Sequence, residues 1–364
     1  MARPPRPAPG AVVEVPPVAT ELGELFRAAG HELYLVGGVV RDLLLGRKGG
    51  DLDLATDATP RETTRILRSW AERIYLVGVR YGTVGARRAE DVFEITTFRE
   101  EVYAEEHRKP AVTFGSDIQA DLSRRDFTVN AMAVRLPEGE FVDPFGGVKD
   151  LAAKRLDTPL DPEVSFSDDP LRMLRAARFA STIDLAPAPR VLEAIGRMRS
   201  RLAIVSAERI SDELGKLLLG ARPGRGLQIV VDTGLAEEFL PELPALRLEQ
   251  DPVHRHKDVL AHTLAVIERC EPNLVLRLAA LLHDVGKPRT REITREGVRF
   301  HHHEVVGARM ARERLQALRF PAAVVEDVAR LVEMHLRFHG YSEWSDSAVR
   351  RYVRDAGPLL DPLN

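Results

Sequence analysis

Apolar and polar positions change rhythm along this chain. Between residues 21 and 150, short apolar runs alternate with turn residues. They are Leu33-Tyr34-Leu35-Val36, Leu52-Asp53-Leu54, Ile74-Tyr75-Leu76-Val77, Gly82-Thr83-Val84-Gly85, Val92-Phe93-Glu94-Ile95-Thr96-Thr97 and Ala131-Met132-Ala133-Val134. Their β-branched and aromatic content predicts strands. With the helical stretches between them, they predict a small mixed sheet with helices on one side, an α+β domain. From Ser167 onward strand signals vanish. Leu171, Leu174, Ala177 and Phe179 start a helical period that Val191, Leu192, Ile195, Ile204, Ile210, Leu214 and Leu217 continue. Turn signals at Pro223-Gly224 and near Pro241 and Pro244 predict a boundary. After Asp251 a third region follows, helical and rich in His. The organisation predicted is a tail over 1–17, a head over 18–150, a helical neck over 151–245 and a last all-α domain over 246–364.

Composition narrows this only a little. At 364 residues, 44% hydrophobic and 29% charged, the chain has globular composition and length for two or three domains. No apolar run reaches membrane-spanning length, which predicts no membrane partner. The Pro- and Ala-rich first 17 residues lack a signal-peptide core and predict disorder. Cys270 is the only cysteine, so no internal disulfide forms and a cytoplasmic setting is expected. The net charge of -3 decides nothing about nucleic acid, because local patches matter more. Arg87-Arg88, Arg108-Lys109, Arg124-Arg125 and the series Arg172, Arg175, Arg178 are such patches; Arg87-Arg88 alone is ordinary surface charge.

The chemistry concentrates in a few places. Gly37-Gly38-Val39-Val40-Arg41-Asp42 follows a predicted buried strand and opens a helix, a turn where backbone approaches phosphate closely. It is not a dinucleotide fingerprint, since the third glycine is misplaced. Asp51 and Asp53 follow. Strand alternation puts Leu52 and Leu54 on one side and both carboxylates on the other, where a cation relieves their repulsion. Oxygen ligands suit Mg²⁺. Either half alone is ordinary, as a turn or a solvated strand end; together they point to phosphoryl transfer. Glu94 is a further candidate ligand, with an exposed strand residue as the alternative. In Arg124-Arg125-Asp126-Phe127-Thr128-Val129-Asn130, two phosphate donors precede Asp126 and Asn130, groups able to bond a ribose hydroxyl. Asp143-Pro144-Phe145-Gly146-Gly147, with Asp150, is an architectural turn. Asp168-Asp169-Pro170-Leu171-Arg172 opens a helix. One aspartate caps it, while Asp169 and Arg172, three apart, share a face. A carboxylate and an arginine so placed fit the amine and ring acceptor of cytosine and adenine, and not uracil or guanine.

These motifs resemble class II tRNA nucleotidyltransferases, the CCA-adding enzymes and bacterial poly(A) polymerases. The likeness rests on the segments at 37–53, 124–131 and 143–147, on Asp168–Arg172, where the family commonly has Glu at the first position, and on Ala207-Glu208-Arg209-Ile210. It implies a polymerase-beta-type head, an all-α neck, and template-independent addition of CMP and AMP to the tRNA 3′ end from CTP and ATP. It also implies that Asp51 and Asp53 hold two Mg²⁺ ions, one activating the terminal hydroxyl and one stabilising pyrophosphate. Gly37, Gly38 and Arg41 then take the triphosphate, Arg124, Arg125, Asp126 and Asn130 the ribose and phosphates, and Asp169 and Arg172 the base, with Arg175 and Arg178 alongside. Specialists adding only CC or A, and poly(A) polymerases, share this chemistry. A metal-dependent phosphohydrolase with a tRNA-binding head is the alternative of a different class.

The last region resembles an HD domain. The apolar run 274–282 ends in His283-Asp284, with Gly286 and Pro288 closing the helix. His262 and His335 lie on apolar helical faces. The resemblance makes His262, His283, Asp284, His303 and His335 ligands of a divalent metal of unspecified identity, with Asp346 a further possible carboxylate and His301 and His302 solvated. Relatives of this arrangement often continue with helical sequence that supports the tRNA body, so a shortened C-terminus is expected.

Overall fold

The computed structural model describes residues 13–47, 51–101, 112–115, 117–248, 258–295, 297–337 and 344–359. Arg108-Lys109 and most of the expected tail lie outside them. The chain divides into two compact units, Met1–Ser165 and Phe166–Asn364.

The first unit is built on a seven-stranded mixed sheet. Its strands are β1 (Leu33–Val36), β2 (Leu52–Thr56), β3 (Arg73–Tyr75), β4 (Thr83–Arg88), β5 (Asp91–Thr97), β8 (Ala133–Leu136) and β9 (Glu140–Val142); β6 (Arg99–Glu101) and β7 (Val112–Phe114) form a separate ribbon. The sheet order is β3-β4-β5-β2-β1-β8-β9, and only the central β2–β5 pair is parallel. Alternation gives the sheet two unlike faces. Leu33, Leu35, Leu52, Leu54, Phe93, Ile95, Val134 and Leu136 point to one face. There they pack against α1 (Pro17–Ala28) through Leu22 and Phe26, α2 (Gly38–Leu44) through Val40, and α3 (Pro60–Leu67) through Leu67. The other face carries a smaller cluster of Tyr34, Val36, Ala55, Phe98, Leu122 and Ala133, where Leu122 comes from α4 (Ile118–Ser123). The expectation of helices on one side therefore holds for α1 to α3 and misses α4.

Three local expectations need correction. Val13 donates its N–H to Gly139 O at 2.8 Å, and Val13 and Val15 pack on the core, so the ordered chain begins before residue 18. Leu76 and Val77 are not strand. They follow β3 at the sheet edge, where nothing covers them, and Val77 is 96% exposed in a turn. Strand also reappears late, in the hairpin Arg291–Thr294 with Gly297–Phe300, whose mostly polar residues carried no apolar alternation.

The second unit is a helical array. It contains α5 (Leu171–Thr182), α6 (Pro189–Met198), α7 (Ala207–Leu218), α8 (Pro223–Asp232), α9 (Val259–Arg269), α10 (Leu274–Leu282), α11 (Lys287–Thr290), α12 (His303–Ala317), α13 (Ala322–Met334) and α14 (Asp346–Ala356). Pro288 thus opens α11 as well as following α10. Arg277 on α10 is 5% exposed, and its guanidinium donates to the carbonyls of Cys270, Glu271, Leu218 and Gly220. This one side chain satisfies the C-terminal carbonyls of α7 and ties them to α10, because an arginine carries five donors in a fixed fork. Arg277→Met should cost on the order of 4 kcal/mol, since several buried carbonyls lose their partner. Urea unfolding followed by helical circular dichroism checks this; an unchanged midpoint would contradict it.

Candidate active site and metal centre

On the first unit the core decides where the charges go. Because Leu52 and Leu54 are buried, Asp51 and Asp53 face the opposite side of the sheet, and Phe93 and Ile95 do the same for Glu94. The parallel register places Asp53 directly beside Glu94. The sequence left Glu94 open between ligand and exposed strand residue; it is exposed, and the register puts it next to Asp53. Burial raises the Asp53 pKa, and the nearby Glu94 and Asp51 charges raise it further against the opposing pull of Arg125. The three carboxylates are loosely gathered: no group of three with ligand atoms within 4.8 Å of one another forms there among the described residues. Like charges repel at this range, and divalent cation binding draws such a set together.

Gly37 sits at φ 76°, ψ -139°, and a Cβ there would lie 2.6 Å from Arg125 Nη1. The missing side chain lets the guanidinium come over the turn, 3.9 Å from that same position to Asp53 Oδ2. Arg125 Nη2 donates to Asp121 Oδ2 at 3.2 Å, and its Nε is buried without a hydrogen-bond partner among the described residues. Arg41 is 8% exposed. Its Nη1 donates to Asn130 Oδ1 at 2.7 Å, and Asn130 Nδ2 donates to Asp126 Oδ1 at 2.9 Å. The glycine turn and the Arg124–Asn130 segment are thereby one hydrogen-bonded assembly. The Asp143 turn supports it from behind. Asp143 accepts from the N–H groups of Gly147 and Val148, and Asp150 accepts from Thr128 Oγ1 at 2.7 Å, which bears out its architectural reading.

On the second unit Asp169 has two partners. Its Oδ1 accepts from Leu171 N at 3.1 Å, capping α5, and its Oδ2 accepts from Arg209 at 2.7 Å. Arg209 is half exposed, so water screens that pair. Arg172, Arg175 and Arg178 line one half-buried stripe of α5. Arg178 donates to Glu213 Oε1 at 3.1 Å and lies 4.4 Å from the Phe179 ring.

Also on this unit, four elements converge on a cavity of about 540 Å³ lined by His262, His283, Asp284, His303 and His335. His262 comes from α9, His283 and Asp284 from the end of α10, His303 from the start of α12, and His335 from the end of α13. Gly286 lets the turn after α10 touch α12: a Cβ there would lie 2.2 Å from His303 O. Ligand atoms of His262, His283 and Asp284 lie within 4.8 Å of one another, as do those of Asp284, His303 and His335. Each of three rings bonds a carbonyl three residues back through Nδ1: His283 to Ala280 at 2.8 Å, His303 to Phe300 at 2.9 Å and His335 to Val332 at 2.6 Å. Nδ1 is therefore the protonated nitrogen, and the Nε2 lone pair is left for a metal, the usual outer support of a histidine ligand. Burial pushes the His335 pKa down to about 4, keeping it neutral at pH 7. Burial opposes Asp284 ionisation, but the neighbouring His283, His303 and Lys287 side chains hold its carboxyl well below the usual range. The donor set fits a divalent metal shared between nitrogen and oxygen ligands.

Residues 33–157 match the family model of the poly A polymerase head domain. Residues 184–246 match that of a probable RNA- and SrmB-binding site of polymerase A, and residues 259–359 that of the HD domain. The chain is 43% identical over 212 residues to the CCA-adding enzyme of Bacillus velezensis, covering 58% of this chain and 52% of that one. To the CCA-adding enzyme of Anoxybacillus flavithermus it is 41% identical over 227 residues, covering 62% and 56%. In chain order these segments are similar to a poly A polymerase head, its RNA-binding segment and an HD domain, and the relatives named are CCA-adding enzymes. The chain spans about half the length of the curated relatives it matches. Its fold is similar to the crystal structure of the Bacillus stearothermophilus CCA-adding enzyme in complex with CTP, with a TM-score of 0.73 at 28% identity over 96% of this chain and 78% of that one. Similarity to the poly A polymerase head domain implies a divalent metal at the head.

Some sequence readings were incomplete. Asp346 begins α14, and no group of three candidate ligands among the described residues includes it. Lys287 was overlooked: its Nζ lies 2.7 Å from Asp284 Oδ2, and its position three residues after Asp284 in a helical turn was the available signal. Arg209 belonged to a recognised segment, but its tie to Asp169, 40 residues away, left no local trace. His301 and His302 are exposed, as expected.

Two outcomes follow for the wild-type chain and its variants. Since the Asp53 pKa is raised, lowering the pH should weaken Mg²⁺ binding at the head sooner than an ordinary aspartate would; Glu94→Gln removes one repelling charge and should move that loss to lower pH. Calorimetric Mg²⁺ titrations at several pH values read this, and an unmoved profile would contradict it. At the HD centre, Asp284→Asn removes the ligand common to both groups, so elemental analysis after metal loading should find bound divalent ion fall at least tenfold against wild type; equal loading would contradict the assignment.

Proposed function

We propose that this chain adds CMP and AMP to the 3′ end of tRNA without a template, using CTP and ATP. The observation that carries this is the set of Asp51, Asp53 and Glu94 carboxylates beside Arg125 and the Gly37 turn. Asp51 and Asp53, with Glu94, hold Mg²⁺, which supplies charge neutralisation and activation of the attacking hydroxyl when bound. Gly37, Gly38 and Arg125 receive the triphosphate. Arg41, bonded to Asn130, positions Asp126 for the ribose, and Arg124 adds positive charge. Asp169 and Arg172 present an acceptor and a donor to the Watson–Crick edge of cytosine or adenine, the base displacing the screened Arg209 contact; Arg175 and Arg178 extend the positive stripe. Similarity to CCA-adding enzymes, one solved with CTP, supports the substrate choice. In this reading the HD centre would hold a divalent metal, and phosphate-ester hydrolysis is the chemistry such a metal would supply there. A lone cysteine suits a cytoplasmic enzyme.

The test supplies tRNAs ending before the tail, after one C and after two, with CTP and ATP separately and together. The expected products are completed CCA ends, with Asp53→Ala reducing incorporation at least on the order of 10³-fold in a folded protein. Products stopping at CC, single A additions or long A tracts would replace this reading by the corresponding specialist. Full incorporation by Asp53→Ala would remove the assignment of the site.

A further inference from the structure

The segment from Thr59 to Tyr81 is locally basic. It carries five arginines against two glutamates in a chain whose net charge is -3. Arg61, Arg65 and Arg68 recur at i, i+4 and i+7 on and just past α3, so they form one exposed row. That row runs about 10 Å along the helix axis. Arg73 and Arg80 are exposed nearby, on β3 and on the turn beyond it. None of the five side chains makes a hydrogen bond or ion pair among the described residues. Glu62 sets one negative charge against the three arginines of the row, its carboxylate held by Thr59 N and Oγ1 at 2.9 and 2.7 Å.

The arginine row forms one wall of a groove of about 930 Å³, and Leu76 and Val79 form the other. Next to it, Tyr75 is 41% and Leu76 50% exposed, and Tyr81 is also open to solvent. Unpaired cations spread over a groove, with exposed aromatic and aliphatic surface beside them, match a polyanion that also offers flat apolar groups. A mononucleotide is too short to engage the whole row. The groove also stands apart from the nucleotide site. Leu67 of α3 packs in the core with Leu52 and Leu54, which is the face opposite Asp53, and β3 lies three strands, about 14 Å, from β2.

We infer that this groove is an RNA-docking surface of the head, taking the phosphate backbone of the tRNA at a distance from its reacting end. The inference rests on the tRNA reading above and adds a contact region to it. Arginine forks hold successive phosphates, while Tyr75 and Leu76 give a sugar or an unstacked base an apolar rest. Such contacts fix orientation and affinity without reading sequence.

The test compares wild type with Arg61→Ala/Arg65→Ala/Arg68→Ala, three exposed positions, after thermal unfolding has established that the variant is folded. Fluorescence anisotropy gives Kd for a tRNA lacking its CCA end across a range of salt concentrations. The expected result is at least a tenfold weaker Kd at low salt and a log–log salt slope shallower by roughly 2 to 3, with CTP affinity unchanged. Arg→Lys replacements at the three positions should restore much of the slope. A folded variant with wild-type tRNA affinity and slope would overturn the inference, and capture of an acidic protein by a groove that leaves tRNA binding unchanged would do the same. If wild type completes CCA ends and the slope is unaltered, only this inference fails. If wild type neither binds tRNA nor extends it, the function itself fails with it.

Discussion

Two carboxylates placed side by side on neighbouring strands are the constraint on which the head depends. They are there because of what lies on the other face. Leu52, Leu54, Phe93 and Ile95 must be buried, strand side chains alternate, and β2 and β5 run parallel in a register that pairs residue 53 with residue 94. A slip of one residue in either strand would bury a charge and expose the core. The apolar pattern therefore sets carboxylates side by side in a partly buried place; burial first, and their mutual repulsion after it, raise the Asp53 pKa, and a divalent cation relieves both. Nothing else on that face needs to be tuned for the acids to meet.

The surrounding polar groups turn that meeting into a defined site. A glycine with no side chain allows Arg125 over the turn, and a buried relay from Arg41 through Asn130 to Asp126 locks two distant segments together. Buried arginine is costly unless each donor finds a partner. For Arg41 the partners are Asp42 and Asn130, neighbouring parts of the site, so stability and positioning come from the same bonds. The helical unit uses the same device at Arg277, where backbone carbonyls are the acceptors.

The HD centre solves a similar problem by different means. Its ligands come from four helical elements and would be mobile singly, but each of three imidazoles is fixed by the carbonyl one helical turn before it. A helix end thus supplies both the residue and its outer support. Asp284 sits where both ligand groups meet and is held ionised by its neighbours, among them Lys287.

Much of this was legible in the residues. The alternation around Asp53, the glycine turn and the histidines on apolar faces each carried a local signal, and the three-part order of the chain followed the change of period. What stayed hidden depends on pairing between distant segments. Glu94 became interpretable only through strand register, Arg209 only through its approach to Asp169, and Val77 left its predicted strand because β3 has no outer neighbour. The most direct measurement is a crystal structure of the chain soaked with CTP and Mn²⁺, read by anomalous scattering. The account requires metal peaks bridging oxygens of Asp51 and Asp53 to the triphosphate, with Glu94 adjoining; a nucleotide bound elsewhere, or those oxygens turned away from it, would contradict the account.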